Sequence, residues 1–125
     1  NNNISGKKVA LWGLSFKPET DDMREAPALV LINSLLSAGC IICAYDPIAM
    51  EECKKKIGDK ISYAKSLYDT VIDADVIFHV TEWKEFRMPS WTVIKKLMKI
   101  NPVLFDGRNV YTASDLDGIL YVKIG

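Results

Sequence analysis

The sequence predicts an α/β domain: a mainly parallel sheet of five to six strands, with helices on both faces. Two observations carry this. Short apolar runs alternate with helical patterns along the whole chain. The runs are also continuously apolar, as in Val9-Ala10-Leu11-Trp12 and Val76-Ile77-Phe78, rather than alternating with polar residues, which fits strands buried on both sides.

Taken in order, the first strand spans about Lys7–Trp12. The first helix runs from about Arg24 to Ala38, with Pro27 tolerated in its first turn and Gly39 as its stop. A second strand, Ile41–Tyr45, ends at Asp46-Pro47, which blocks continuation. A lysine-rich helix, Ala49–Ile57, closes at Gly58. A short strand near Lys60–Tyr63 and a short helix at Ser66–Ile72 follow, the latter with Asp69 and Asp73 facing out. The fourth strand is Val76–Val80. Thr81 to Pro89 reads as a loop with a helical turn, and Ser90 caps the helix Trp91–Met98. Strand five is Val103–Phe105, and Ile119–Lys123 forms a last strand after the turn at Asp117-Gly118.

The 125 residues suit one compact domain over 1–125, with residues 1–6 reading as a linker end. A hydrophobic content of 49% supplies a core. The formal net charge is zero, which disfavours a nucleic-acid binder. No apolar run approaches the roughly 20 residues needed to span a membrane, and the start lacks an apolar leader. The cytoplasm is the expected location. Three cysteines, Cys40, Cys43 and Cys53, make no disulfide framework. Cys40-Ile-Ile-Cys43 reads as strand residues, because a redox pair at this spacing would open a helix. No metal site is expected, since His79 is the one histidine.

In an open parallel sheet, ligands bind beyond the carboxyl ends of the strands. Three polar loops emerge there: Gly13–Met23, Thr81–Pro89 and Asp106–Asn109. They bring Lys17, Arg24 and Arg108 to one rim, a set suited to phosphate or pyrophosphate. Asp21, Asp22 and Glu25 flank Arg24, so a local ion pair is an equal alternative for it. Gly13 has no glycine partner for a dinucleotide fingerprint, so the domain is not expected to hold a dinucleotide alone. Gly13 and Gly107 read as permitting tight backbone turns. Asp46 reads as a turn former rather than a ribose ligand. His79 reads as a packed core residue, with a base at the rim as the alternative. Trp83 and Trp91 read as helix packing, and Lys54-Lys55-Lys56 as a solvated helix face.

The run Gly13-Leu14-Ser15-Phe16-Lys17-Pro18-Glu19-Thr20-Asp21-Asp22-Met23-Arg24-Glu25-Ala26-Pro27-Ala28 resembles the opening signature of the C-terminal domain in the UDP-glucose/GDP-mannose dehydrogenase family. Phe105-Asp106-Gly107-Arg108-Asn109, about 80 residues on, is similar to that family's second motif. Glu25-Ala26-Pro27 departs from the pattern, where many relatives carry a serine. The resemblance covers about Lys7 to Tyr121. It implies a Rossmann-like three-layer domain in which Phe16 and Lys17 contact a UDP-sugar, Arg108 binds its phosphates, and Arg24 reaches NAD held mainly by an N-terminal domain. It implies no catalytic residue within these 125 residues. The resemblance further implies a central dimerisation domain in the same polypeptide, a homodimer at full length, and about 300 further residues upstream. The expected reaction is oxidation of UDP-glucose to UDP-glucuronate. Alternatives are the corresponding domain of a UDP-N-acetyl-mannosamine or GDP-mannose dehydrogenase, or a free-standing nucleotide-binding module.

Overall fold

The computed structural model describes residues 4–15, 23, 26–108, 110–116 and 118–123. Six strands form one sheet: β1 Lys8–Trp12, β2 Ile41–Tyr45, β3 Ser62–Tyr63, β4 Val76–His79, β5 Val103–Asp106 and β6 Leu120–Lys123. Their order is β3-β2-β1-β4-β5-β6, and every adjacent pair is parallel. Among the described residues four α-helices join them: α1 Pro27–Ser37, α2 Met50–Ile57, α3 Leu67–Thr70 and α4 Trp91–Leu97.

Side-chain alternation on the strands divides the core in two. Val9, Leu11 and Ile42 face α1 and α2, meeting Ile32, Leu35 and Ile57. Ala10, Trp12, Ile77 and Leu104 face the other way, meeting Val71, Phe86 and Ile94. Trp12 is fully buried there; it stacks on Phe86 at 5.3 Å, and its indole N–H donates to Thr70 Oγ1 at 2.9 Å. That partner spares a buried donor the cost of desolvation, about 1–3 kcal/mol.

The predicted boundaries hold to within a few residues. Pro27 opens α1, where its missing N–H is lost at no cost. Ser90 Oγ caps α4 by accepting from the Val93 N–H. Ser66 does the same for α3 from just outside the helix, rather than as its first residue. Two single-turn 3₁₀ segments, Gly58–Lys60 and Ala113–Leu116, carry no periodic pattern and were not expected; the first includes Lys60, so the third strand starts at Ser62. The three thiols are free and buried. Burial pushes the Cys40 and Cys53 thiols above their ordinary value, so both stay protonated at neutral pH. Lys54 and Lys55 pair with Glu51 and Glu52 one turn back, on a solvated face as predicted.

Gly13, directly after β1, sits at φ +94°, and a Cβ there would lie 2.4 Å from Thr81 Cβ and 2.5 Å from the Thr81 nitrogen. Two loops therefore meet only because this side chain is absent. Gly13→Ala should cost about 2–4 kcal/mol, from the unfavourable φ and from overpacking against backbone. Urea unfolding followed by circular dichroism measures it. A loss below 0.5 kcal/mol, on the order of an ordinary surface change, would contradict the close approach.

Candidate functional site

The strand order reverses between β1 and β4, so the crevice beyond their carboxyl ends is the place where such sheets bind ligands. Two buried carboxylates build this edge. Asp46, just past β2, is fully buried. Its Oδ1 accepts from the N–H groups of Ile48 at 2.9 Å and Ala49 at 2.8 Å, starting α2. Its Oδ2 accepts from the Leu14 N–H at 2.8 Å, the Ser15 N–H at 3.4 Å and the Trp83 indole at 3.1 Å. One side chain thus ties the loops after β1, β2 and β4. The turn-forming expectation covers only the first two bonds. The predicted packing role of Trp83 is joined by this indole bond.

Asp106 plays the matching part at the end of β5. Its Oδ1 accepts from the Arg108 N–H at 2.9 Å and from His79 Nδ1 at 3.0 Å. Its Oδ2 accepts from the Val110 N–H at 2.9 Å, the Tyr111 N–H at 3.3 Å and the Tyr121 hydroxyl at 2.6 Å. Burial alone would raise this carboxyl's pKa. The bonds from His79, Tyr121 and the backbone outweigh it and hold the group at about 2. Tyr121 is pushed up to about 12 by burial and by this bond, so it remains a donor.

His79 is buried, as the core reading expects. Burial lowers its pKa more than Asp106 raises it, so the ring is neutral near pH 7. A carboxylate can only accept, so Nδ1 carries the proton. Nε2 is left as a bare acceptor, and no partner reaches it among the described residues. The ring packs against Phe86 and Tyr111, at 5.7 and 5.1 Å. Here His79 positions a carboxylate from within a buried aromatic cluster.

Of the sequence-predicted site residues, Arg108 lies on the described rim with an exposed side chain. Phe16, Lys17 and Arg24 lie outside the described residues. A cavity of about 260 Å³ opens beside Arg108, lined by Gly107, His79, Val80 and Phe78 and by Pro27 and Leu31 of α1. The start of α1 and Arg108 therefore border one space. Gly107, read as permitting a tight turn, lies in a bend without a positive φ. It serves by proximity: its N–H donates to the His79 carbonyl at 3.0 Å, and a Cβ would lie 3.2 Å from that oxygen. Thr81 Oγ1 donates to the Ser15 carbonyl at 2.7 Å, joining the loops after β1 and β4. Among the described residues, no helix is long and apolar enough to cross a membrane.

These features define an α/β nucleotide-binding type of domain with an anion-ready edge. The chain belongs to the UDP-glucose/GDP-mannose dehydrogenase family, whose UDP binding domain matches residues 10–113. It is 42% identical to the UDP-glucose 6-dehydrogenase of Pseudomonas aeruginosa and 40% identical to that of Rhizobium meliloti, over 96% and 98% of this chain. It spans only 28% of the length of each of those relatives. Among solved structures it resembles an NDP-N-acetyl-D-galactosaminuronic acid dehydrogenase from Methanosarcina mazei (TM-score 0.83, 27% identity, 98% of this chain and 25% of that one). It also resembles a UDP-glucose dehydrogenase from Pyrobaculum islandicum (TM-score 0.77, 26% identity, 94% and 25%).

The His79–Asp106 pair makes stability depend on pH in a stated direction. An unfolded histidine titrates near 6.5, and His79 titrates lower when folded. Its contribution is complete above about pH 6.5 and is lost as pH falls below that value. Asp106, at about 2 when folded, contributes above about pH 4 and loses this as pH falls toward 2. Because the chain has one histidine, the window from pH 6.5 to 5 reports on it alone. Unfolding free energy should fall there with a slope approaching about 1.4 kcal/mol per pH unit, and His79→Gln should remove the slope. A flat profile from pH 7 to 5 in the unsubstituted chain would contradict the assignment.

Proposed function

We propose that this chain is the UDP-sugar-binding part of an NAD-dependent dehydrogenase that oxidises the C6 alcohol of UDP-glucose to the carboxylate of UDP-glucuronate. The observation that carries the proposal is the placement of Arg108. Its backbone is fastened by Asp106 at the carboxyl edge, its side chain is free in solvent, and the start of α1 lies across the cavity. In this reading the guanidinium takes phosphate oxygens of the sugar nucleotide through two parallel bonds. Lys17 adds a compact second cation, Phe16 packs against the nucleotide, and Arg24 reaches toward NAD.

The glycine fingerprint for a dinucleotide is absent after β1, so NAD is held mainly by another domain of the same polypeptide. A further domain supplies dimer contacts, and the working enzyme is a homodimer. The chain's share of the chemistry is orientation. It fixes the nucleotide end so that the hexose is held at the catalytic groups of those other domains. UDP-glucose is preferred over UDP-N-acetyl-mannosamine as substrate on identity. The curated relatives at 42% and 40% identity are both UDP-glucose 6-dehydrogenases, which supports that preference.

Isothermal titration of UDP into this chain tests the reading. A charge-assisted bond to phosphate is worth about 1.5–3 kcal/mol, so Arg108→Ala should weaken UDP binding about tenfold to a hundredfold. Arg24→Ala should leave UDP affinity unchanged and act on the KM for NAD in an assembled enzyme. The chain alone should form no NADH from UDP-glucose and NAD. Normal UDP affinity in Arg108→Ala, or NADH formation by the pure chain, would overturn the proposal.

A further inference from the structure

The sheet's own pairing of the first strand stops at Trp12 and Gly13. Trp12 is the last β1 residue in register with β2 and β4, and the Gly13 N–H donates to the Tyr45 carbonyl at 2.9 Å. Beyond that point side chains take over the backbone. The Leu14 and Ser15 N–H groups go to Asp46 Oδ2, at 2.8 and 3.4 Å. The Ser15 carbonyl accepts from Thr81 Oγ1 at 2.7 Å. Ser15 is thus held at both its N–H and its carbonyl, by an acid after β2 and by a hydroxyl after β4. Ser15 and Thr81 are each 1% exposed, so water is not at hand to replace these partners. The segment around Thr81 is itself anchored on both sides. The Val80 N–H donates to the Trp12 carbonyl at 2.9 Å, and the Trp83 indole donates to Asp46 Oδ2 at 3.1 Å.

Resting on the reading of this chain as the UDP-sugar-binding part of a dehydrogenase, we propose that Thr81 is a positioning residue for the sugar nucleotide. It acts through Ser15 rather than by touching the ligand. Asp46 cannot do this work alone: a carboxylate only accepts, and so does the Ser15 carbonyl, so a donor must come from another segment. Threonine suits the place, because its branched Cβ restricts χ1 and keeps the hydroxyl aimed. Phe16 and Lys17 follow directly in the sequence. Two residues of chain reach at most about 7 Å, so slack at Ser15 passes straight to both. A loop that must be ordered when the ligand arrives binds it more weakly than one already fixed. Arg108 belongs to a separate unit, since its N–H is held by Asp106 after β5.

Titration calorimetry with UDP-glucose tests this in Thr81→Ala, Thr81→Val and Thr81→Ser, with folding checked by circular dichroism. Alanine and valine lack the hydroxyl and differ in size, so one remains readable if the other misfolds; serine keeps it. The two hydroxyl-free variants should bind about tenfold more weakly, the equivalent of one hydrogen bond. Thr81→Ser should stay within about twofold of the unsubstituted chain, the scatter of independent sites. In a Phe16→Ala/Lys17→Ala background Thr81→Ala should do nothing further, because the residues it positions are gone. In an Arg108→Ala background its full effect should persist. A purely structural role would act alike in both backgrounds. Normal affinity in Thr81→Ala, an equal loss in Thr81→Ser, or a full loss in the Phe16→Ala/Lys17→Ala background would overturn the proposal. If the unsubstituted chain binds no UDP-glucose, the functional reading fails, and amide exchange then judges the clamp by itself. The Leu14 and Ser15 amides should exchange about tenfold faster in Thr81→Ala and not in Thr81→Ser; equal exchange in the two variants overturns the clamp.

Discussion

A buried carboxylate that accepts backbone N–H groups at the end of a strand is the interaction on which the rim depends, and it occurs twice. Asp46 and Asp106 close β2 and β5, the strands next to β1 and β4, and each receives five described donors drawn from several segments. A charged group out of water is costly unless its lone pairs are filled. Here filling them is what shapes the loops. The N–H groups that the two carboxylates receive would otherwise be unpaired where the chain leaves the sheet. Removing either side chain leaves several donors without partners, each at about 1–3 kcal/mol.

The division of charge follows from the same arrangement. Asp106 stays ionised because its donors outweigh burial, and His79 stays neutral because burial outweighs its single carboxylate neighbour. A neutral imidazole locked by its Nδ1–H cannot swing to the surface, so Arg108 is the exposed cation at that loop while its backbone stays fixed. Rigid backbone with a free side chain is what a phosphate site requires, since less ordering remains to be done when the ligand arrives. The two faces of the sheet differ in a related way. Among the described residues, α3 and α4 cover one face, whereas α1 and α2 leave the β4–β6 half of the other open.

Much of this was legible in the residues. The apolar runs, the Gly39 and Gly58 stops, Pro27 and the Ser90 cap each act locally, so one sequence suffices to place β1 through β6 and the long helices. The rim location of Arg108 follows from strand order and needs no contact information. The roles of Asp46, Asp106 and His79 were not legible in full, because their partners lie up to 37 residues away and a spacing cannot show which donors converge. Asp106 read as part of a cationic loop motif, and its neighbour Arg108 drew the attention. The one available signal was an acidic residue ending an apolar strand, present at both Tyr45-Asp46 and Phe105-Asp106. The open face of β4–β6 was hidden for the opposite reason: continuous apolar strands predict cover on both sides, and sequence does not say who provides it.

Amide hydrogen exchange in Asp106→Asn tests the central claim most directly. The substitution keeps size and shape but turns one acceptor oxygen into a donor. Both oxygens face backbone N–H groups, so either orientation of the amide sets donor against donor. The account predicts that among Arg108, Val110 and Tyr111 at least one amide exchanges tenfold or more faster, while the amides of β1 keep their protection. If all three remain as protected as in the unsubstituted chain, the carboxylate does not hold the loop, and the account of the rim fails.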